Sequence, residues 1–153
     1  MALPNWTKNQ VIAQLDSGHR WSGLNWTYSF PTAASGMYGI NGEKPGFQAA
    51  TPDQKSFLVL ALALWDDLIA PNFSEGASAT NVEFAYSGSM DGYAWAYQPD
   101  KGSVWFSTTS GQSPSNSTTV PIIGRYGFET ILHETGHAIG LDHMGDYNGS
   151  GEW

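Results

Sequence analysis

The residues best suited to chemistry lie near the end of the chain, in the order H-E-x-x-H-x-x-G-x-x-H. His133 and His137 are four positions apart, so on a helix they share one face and both imidazoles can reach one metal ion. Gly140 is placed to end that helix, because glycine adopts the left-handed conformation of a C-cap without strain. The chain then turns back, and His143 supplies a third nitrogen. Three neutral imidazoles with an open fourth position predict a catalytic zinc site.

Glu134 follows the first of these ligands directly, so it can act on a water at the metal without occupying a coordination position. Zinc on three imidazoles lowers the pKa of its bound water to about 7. We expect Glu134 to take the proton from this zinc-bound water as the water attacks a carbonyl, and then to pass it to the leaving nitrogen. The metal would also stabilise the developing oxyanion. This combination predicts hydrolysis of an amide bond.

The shorter pattern H-E-x-x-H occurs by chance on amphipathic helices, and a lone histidine is usually an ordinary surface or core residue. Here the glycine and the third histidine are both present. Three of the four histidines of the chain fall within these eleven residues. The longer pattern therefore favours a metal site.

The composition excludes several other classes of protein. With 153 residues, 41% of them hydrophobic, and seven each of Trp, Tyr and Phe, the chain is long and apolar enough to fold around a core. Six basic and fourteen acidic residues give a net charge of −8, so we expect neither nucleic acid nor a membrane as a partner. The absence of cysteine excludes disulfides and thiolate metal sites.

Two capping boxes predict the starts of two helices. Thr7 with Gln10 begins a short first helix, and Thr51 with Gln54 begins a longer second one. The middle of the second helix, residues 57–65, is apolar on nearly all sides, so we expect it to leave little surface for solvent.

A third helix carries the histidines and is predicted to begin near residues 124–127. A polar segment, residues 108–120, precedes it and is predicted to be a long solvated loop. The residues expected to face the core from this helix are Phe128, Ile131, Leu132 and Ile139.

Four segments have the alternation or the residue types of strands, while residues 32–50 are predicted to be loop. In one of the four, small and aromatic residues alternate, and Ala94 and Ala96 share a face. These alanines could pack under the metal helix or allow another backbone to approach, and the sequence favours neither. The four predicted strands cover residues 25–30, 81–86, 92–98 and 103–107.

The eleven residues of the histidine pattern match the metzincin metallopeptidases, and among these the chain most resembles the serralysins, secreted bacterial proteases. Similarity extends beyond the zinc motif to most of residues 12–149. It includes the first strand, the second helix, the strand with the two alanines and its successor, and a run after the third histidine, at residues 26–31, 54–66, 93–99, 102–106 and 145–148.

This resemblance implies a mixed α/β fold of the zincin type, namely the upper metzincin subdomain. It would have a twisted, mostly parallel, five-stranded sheet with an antiparallel edge strand, a backing helix and an active-site helix. A polypeptide substrate would lie along the edge strand and extend the sheet. The resemblance thus implies substrate-binding residues at Tyr93, Ala94, Trp95 and Ala96, one catalytic zinc ion, and a secreted, extracellular protein.

The chain departs from the family pattern at two places. Met144 stands where serralysins usually have proline. The chain also ends at Trp153, before the Met-turn that lies beneath the zinc in metzincins, so we expect a catalytic-domain fragment. Residues 1–140 would form the upper subdomain and residues 141–153 the start of a lower one. A C-terminal segment or a second chain would complete the cleft, and calcium would bind only through a further C-terminal domain.

The leading prediction is a zinc endopeptidase. One alternative is an incomplete or inactive zinc-binding protein of the same fold. A second alternative is a carbohydrate-binding module that stacks sugars on its seven tryptophans, although aromatic residues in alternating strands are more often core.

Overall fold

A computed structural model describes residues 5–77 and 80–143, which form a mixed α/β fold. Two short 3-10 helices, Ala34–Gly36 and Lys44–Gly46, lie in the segment before the second α-helix. The other elements are, in chain order, α1 (Lys8–Leu15), β1 (Asn25–Ser29), β2 (Phe47–Gln48), α2 (Pro52–Asp66), β3 (Asn72–Glu75), β4 (Val82–Ser87), β5 (Ala94–Ala96), β6 (Ser103–Ser107) and α3 (Tyr126–Ala138).

The strands form one sheet in the order β3-β1-β4-β6-β5, and β2 pairs in addition with β4. The pairs β1–β3, β1–β4 and β4–β6 are parallel. The pairs β5–β6 and β2–β4 are antiparallel. The prediction of a mostly parallel sheet with an antiparallel edge strand is therefore confirmed, with β2 as one strand more than the five that the family resemblance implied.

Both predicted capping boxes form. The Thr7 side chain accepts from the backbone N–H of Gln10, and the Thr51 side chain accepts from that of Gln54. Each glutamine side chain returns a hydrogen bond to the cap backbone, so the exposed N–H groups of the first turn are satisfied locally. No described helix has both the length and the apolar character needed to cross a bilayer.

The main core lies between the sheet and the helices α2 and α3. Alternate residues of the central strand β4 point into it, as the pleat requires. The largest fully buried apolar side chains of this core are Tyr86, Phe84, Phe106, Leu58, Leu62 and Ile131.

The prediction that α2 leaves little surface for solvent is wrong. Val59 and Leu64 of this helix are 39% and 41% exposed. The helix lies on one face of the sheet beside α3, so only one stripe of its surface is covered. An apolar composition on all sides predicts a buried helix, but it does not show whether a second layer of structure covers the outer side of that helix.

Residues 32–50, predicted to be loop, contain β2 and cover the other face of the sheet. There they help to enclose a second, smaller core around Met37, Ala85, Met90 and Trp105. A further strand, β3, was also missed by the sequence prediction. Both missed strands are short and lack the regular alternation from which strands are predicted.

Glu43 lies within this covering segment and is fully buried. Its carboxylate accepts hydrogen bonds from the backbone N–H of Asn41 at 2.8 Å, from the indole N–H of Trp95 at 2.7 Å and from the hydroxyl of Tyr97. Burial alone would raise the pKa of Glu43, but the hydrogen bonds to its charged form outweigh that effect and lower the pKa.

The predicted solvated loop over residues 108–120 is in part internal. Thr118 is fully buried, and its carbonyl accepts from the hydroxyl of Tyr86 at 3.0 Å. The Gln112 side chain ties the segment together, accepting from the Thr118 N–H at 3.1 Å and donating to the Ser107 carbonyl at 2.9 Å. The polar composition predicted an exposed loop, because composition does not show which polar side chains form hydrogen bonds within the loop.

The tryptophans of the described residues serve mainly the fold. Trp26 and Trp105 are buried. The indole N–H of Trp21 donates to the Ala138 carbonyl and that of Trp65 to the Leu132 carbonyl. These contacts support the interpretation of the tryptophans as core residues rather than as a sugar-stacking surface.

We predict that Glu43→Gln lowers the free energy of unfolding by about 2 kcal/mol at pH 7, because the amide cannot accept all the hydrogen bonds of the buried carboxylate. The lowered pKa makes the carboxylate's contribution present above its ordinary value of 4.5 and lost as the pH falls below it. The difference between wild type and variant should therefore shrink in acid. Denaturant titrations across this pH range measure it.

The matched control is Glu75→Gln, which changes an exposed carboxylate on β3. This strand lies at the end of the sheet opposite to β5. It should cost little at any pH. A difference for Glu43→Gln that stayed constant from neutral to strongly acidic pH would contradict the assignment.

Candidate metal centre and cleft

Helix α3 presents two histidines on the side away from the core. Phe128 and Ile131 are buried against the sheet and α2. His133 and His137, one turn apart, point out of this core, with their Nε2 atoms 3.0 Å from each other. The helix therefore places the two imidazoles on one face, as the spacing predicts.

The helix ends at Ala138, and Gly140 turns the chain with φ +112°. A Cβ atom at Gly140 would lie 2.4 Å from the carbonyl oxygen of His19. Glycine is thus required here for two reasons, the positive φ and the close backbone neighbour. The prediction that the helix stops at this glycine is confirmed.

His143 returns to the other two histidines after this turn. Its Nε2 lies 2.9 Å from Nε2 of His133 and 2.9 Å from that of His137. In His137 the other ring nitrogen, Nδ1, lies 2.8 Å from the Leu141 carbonyl. Nδ1 therefore carries the proton and donates it to that carbonyl, which leaves the Nε2 lone pair directed at the centre of the triad.

The end of α1 and the segment that follows it hold the turn in place. The Asp142 N–H donates to the Leu15 carbonyl at 2.8 Å, and the Ser17 hydroxyl donates to the Gly140 carbonyl at 2.8 Å. The indole of Trp21 donates to the Ala138 carbonyl at 2.9 Å. Sequence reasoning missed these contacts, because partners more than a hundred residues apart leave no local pattern.

Three imidazole nitrogens 2.9–3.0 Å apart can all lie about 2.0–2.1 Å from one common point, which is the Zn–N bond length. Protons alone would satisfy this triad poorly, since one N–H serves one neighbour at a time. Within residues 5–77 and 80–143, these three histidines are the one group of potential metal ligands whose donor atoms converge. The donor set fits a single zinc ion.

The electrostatics of the site favour the metal-binding form of His133 and His143. Burial lowers the pKa of His133, and the neighbouring His137 and His143 lower it further. Burial and His137 lower the pKa of His143 in the same way, against an opposing effect of Asp142. Neutral imidazoles are therefore favoured at neutral pH, as a metal ligand must be.

Glu134 is buried beside the triad. Burial raises the pKa of its carboxyl to about 7, and a hydrogen bond with the backbone of Ala96 opposes the rise. A cation at the histidines would lower this pKa, because a positive charge favours the carboxylate. The buried carboxyl, which lines the same cleft as the histidines, is placed to accept and return a proton.

A cleft of about 400 Å³ joins the triad to the edge of the sheet. Strand β5 forms one wall, and its partner on the sheet side is β6. Within the described part of the chain, no strand pairs with the other edge of β5. The residues that line the cleft are Ala94, Trp95, Ala96, Gln98, His133, Glu134, His137, Asp142 and His143.

The four residues that the resemblance implied as substrate-binding do not share one environment. Ala94 and Ala96 pack against the main core and also line the cleft, so the packing interpretation is supported, while the approach of another backbone stays a prediction. The indole of Trp95 binds Glu43 on the opposite face. Tyr93 stacks on Tyr126 and lines a neighbouring cavity of about 270 Å³.

Comparison with curated proteins identifies the relatives of this chain. The metallopeptidase AprA of Pseudomonas marginalis is 34% identical over 134 residues, which cover 82% of this chain and 28% of the relative. The metalloprotease AprA of Pseudomonas entomophila is 32% identical and covers 95% of the chain and 32% of the relative. Serralysin A of Dickeya chrysanthemi is 38% identical over 112 residues, covering 67% and 24%.

This chain is related to the serralysin metalloproteases. The resemblance predicted from its sequence is therefore confirmed. The chain spans between about a quarter and a third of the length of these curated relatives. No protein-family model matches it.

Among solved structures, that of myroilysin is similar, with a TM-score of 0.51 and 17% sequence identity. The similarity covers 84% of this chain and 54% of myroilysin. At this level of identity the match supports the fold alone.

Three predictions of the sequence analysis fall wholly or partly outside the described residues. Met144, the run at residues 145–148 and most of the proposed lower subdomain, residues 141–153, lie beyond residue 143. The division of the chain at residue 140 stays a prediction.

We predict that Gly140→Ala weakens zinc binding, because the added methyl group would displace the His19 backbone or the turn that brings His143 back. Gly124→Ala is the matched control: Gly124 also has a positive φ, of +79°, but a Cβ there meets nothing within 4 Å. The control should show only the strain of a left-handed residue, about 1–2 kcal/mol. Competition with a chromophoric chelator measures zinc affinity, and equal affinities for the two variants would contradict the role of this turn.

Proposed function

We propose that this chain forms the metal-binding part of a zinc endopeptidase. His133, His137 and His143 would hold the ion, and Glu134 would be the general base. The observation that supports this most strongly is the convergence of three Nε2 atoms to within 3.0 Å of one another, next to a buried carboxyl in the same cleft. The relationship to metalloproteases supports the same reaction class.

A zinc ion in this position would supply Lewis acidity, which acidifies a water molecule and polarises a peptide carbonyl. Glu134 would receive the proton of the attacking water and transfer it to the nitrogen of the leaving amine. The burial that raises its pKa makes the carboxylate a stronger base than an exposed one. Its neighbour in the chain, His133, would hold the ion and so keep Glu134 next to it.

A polypeptide substrate would bind along the outer edge of β5 in an extended conformation. The open edge of this strand offers backbone N–H and C=O groups for pairing, and its register with β6 leaves that edge facing the cleft. Ala94 and Ala96 would allow a close approach because their side chains are small. Tyr93 would flank the bound segment, whereas the indole of Trp95 lies on the opposite face.

The zincin-type division into an upper and a lower subdomain belongs to the same proposal. Residues 1–140 would form the upper wall of the cleft, and the segment from residue 141 onward, or a second chain, would supply the lower wall. We further propose that the whole protein is secreted, in keeping with the metalloproteases to which the chain is related.

We predict that Glu134→Gln retains one zinc ion per chain but loses at least about 100-fold in peptide cleavage, because the amide cannot accept the proton. Elemental analysis gives the zinc content, and hydrolysis of casein with and without a chelator gives the activity. Glu75→Gln should match the wild type in both. A Glu134→Gln variant with turnover near that of the wild type would rule out the proposed base.

The same two measurements distinguish the endopeptidase from the alternative, a zinc-binding protein without proteolytic activity. Zinc bound without chelator-sensitive cleavage by the wild-type chain would favour that alternative. Failure to bind zinc would remove both metal-dependent proposals.

A further inference from the structure

Strand β5 is a short, half-buried element at the edge of the sheet. It comprises three residues, Ala94–Ala96, and hydrogen-bonds to one neighbouring strand, β6. Short strands at a sheet edge fray readily, because half of their backbone groups have no partner in the sheet. A strand that must present its open edge to a peptide therefore needs support from elsewhere.

That support comes from the face of the sheet away from the histidines. The side chains of Trp95 and Tyr97 point to this face, where both donate to the buried carboxylate of Glu43. The Tyr97 hydroxyl also accepts from the backbone N–H of Ile40 at 3.2 Å and from the side chain of Asn41 at 3.0 Å. Glu43 is thus the centre of a polar cluster that holds the strand through Trp95 and Tyr97, two residues on the same face.

The opposite face of the same strand meets the catalytic groups. Ala94 and Ala96 line the cleft with His133 and Glu134. The backbone of Ala96 also contributes a hydrogen bond to Glu134. Because side chains alternate across a strand, a contact that fixes Trp95 and Tyr97 also fixes the backbone between them. A displacement of the Glu43 side chain would therefore be transmitted to the cleft through the backbone of β5.

A carboxylate suits this place because every group around it is a donor. The N–H of Asn41, the indole of Trp95 and the hydroxyl of Tyr97 all point at its two oxygens. A glutamine in the same position would turn an NH₂ group toward one of these donors and leave it without an acceptor.

We propose that Glu43 is a positioning residue for the substrate: it holds β5 at the tilt and register in which an extended peptide can pair with its outer edge. The proposal rests on the proposed function. It differs from a purely structural role because the effect of losing the carboxylate is concentrated on β5 and on peptide binding, and leaves the histidine triad unchanged.

The experiment compares Glu43→Gln and Tyr97→Phe with the control Glu75→Gln, all in the zinc-loaded chain. Tyr97→Phe removes one hydroxyl from a half-buried ring and so tests the same contact with little risk to folding. Hydrogen exchange of the backbone amides reports the local stability of β5. The dissociation constant of an extended casein-derived peptide, measured with Glu134→Gln as the common background, reports substrate binding without turnover.

Glu43→Gln should speed exchange at residues 94–97 about tenfold or more, as expected for loss of a hydrogen bond to a charged group, beyond any increase in β1 and β3 that follows from the lower global stability. The peptide dissociation constant should rise about tenfold, and zinc content should remain one per chain. Tyr97→Phe should shift both quantities in the same direction. Together with Glu43→Gln, it should change them by less than the sum of the two single effects, since both substitutions weaken the same contact.

Faster exchange spread evenly over the sheet, or an unchanged dissociation constant despite faster exchange at β5, would overturn the proposal. Failure of the proposed function gives a different result: the Glu134→Gln background and Glu75→Gln would then fail to bind the peptide just as the Glu43 variant does.

Discussion

The structure depends on one constraint, which is that a chain leaving a helix must reverse within a few residues and return a third imidazole to the first two. Gly140 makes the reversal possible with a φ of +112°. The same glycine leaves room for the His19 carbonyl, which any side chain would meet. Hydrogen bonds from Ser17 and Trp21 then fix the turn. The segment around Ser17 and Trp21 is therefore part of what positions the three histidines.

A second dependence runs through the sheet. Its main core anchors α3 from one side, and the smaller core under residues 32–50 anchors β5 from the other. The two meet at the cleft, where Glu134 of the helix lies beside Ala96 of the strand. Buried polar groups link these layers, and each is satisfied: no buried side-chain nitrogen or oxygen of the described residues lacks a hydrogen-bond partner. Such networks fix one arrangement, because breaking any contact leaves a group without its partner in a dry interior.

Sequence reasoning succeeded where the physical cause is local. Capping boxes satisfy their hydrogen bonds within three residues, and both were predicted. The bounds of β6 were predicted without error, and the histidine spacing led directly to the convergent triad. Prediction failed where partners are distant. Nothing near Glu43 indicates that donors more than fifty residues away will surround it, and the Ser17 hydroxyl meets its partner across 123 residues. The exposed side of α2 could not be foreseen, because composition does not reveal how many layers cover a helix.

We expect the three histidines together to bind one catalytic zinc ion. X-ray absorption at the zinc edge, on the chain loaded with one equivalent of zinc, tests it most directly. We predict three imidazole nitrogens and one further light ligand at about 2.0–2.1 Å, in a four-coordinate site. A spectrum with fewer than three imidazoles, or a chain that retains no stoichiometric zinc, would contradict it.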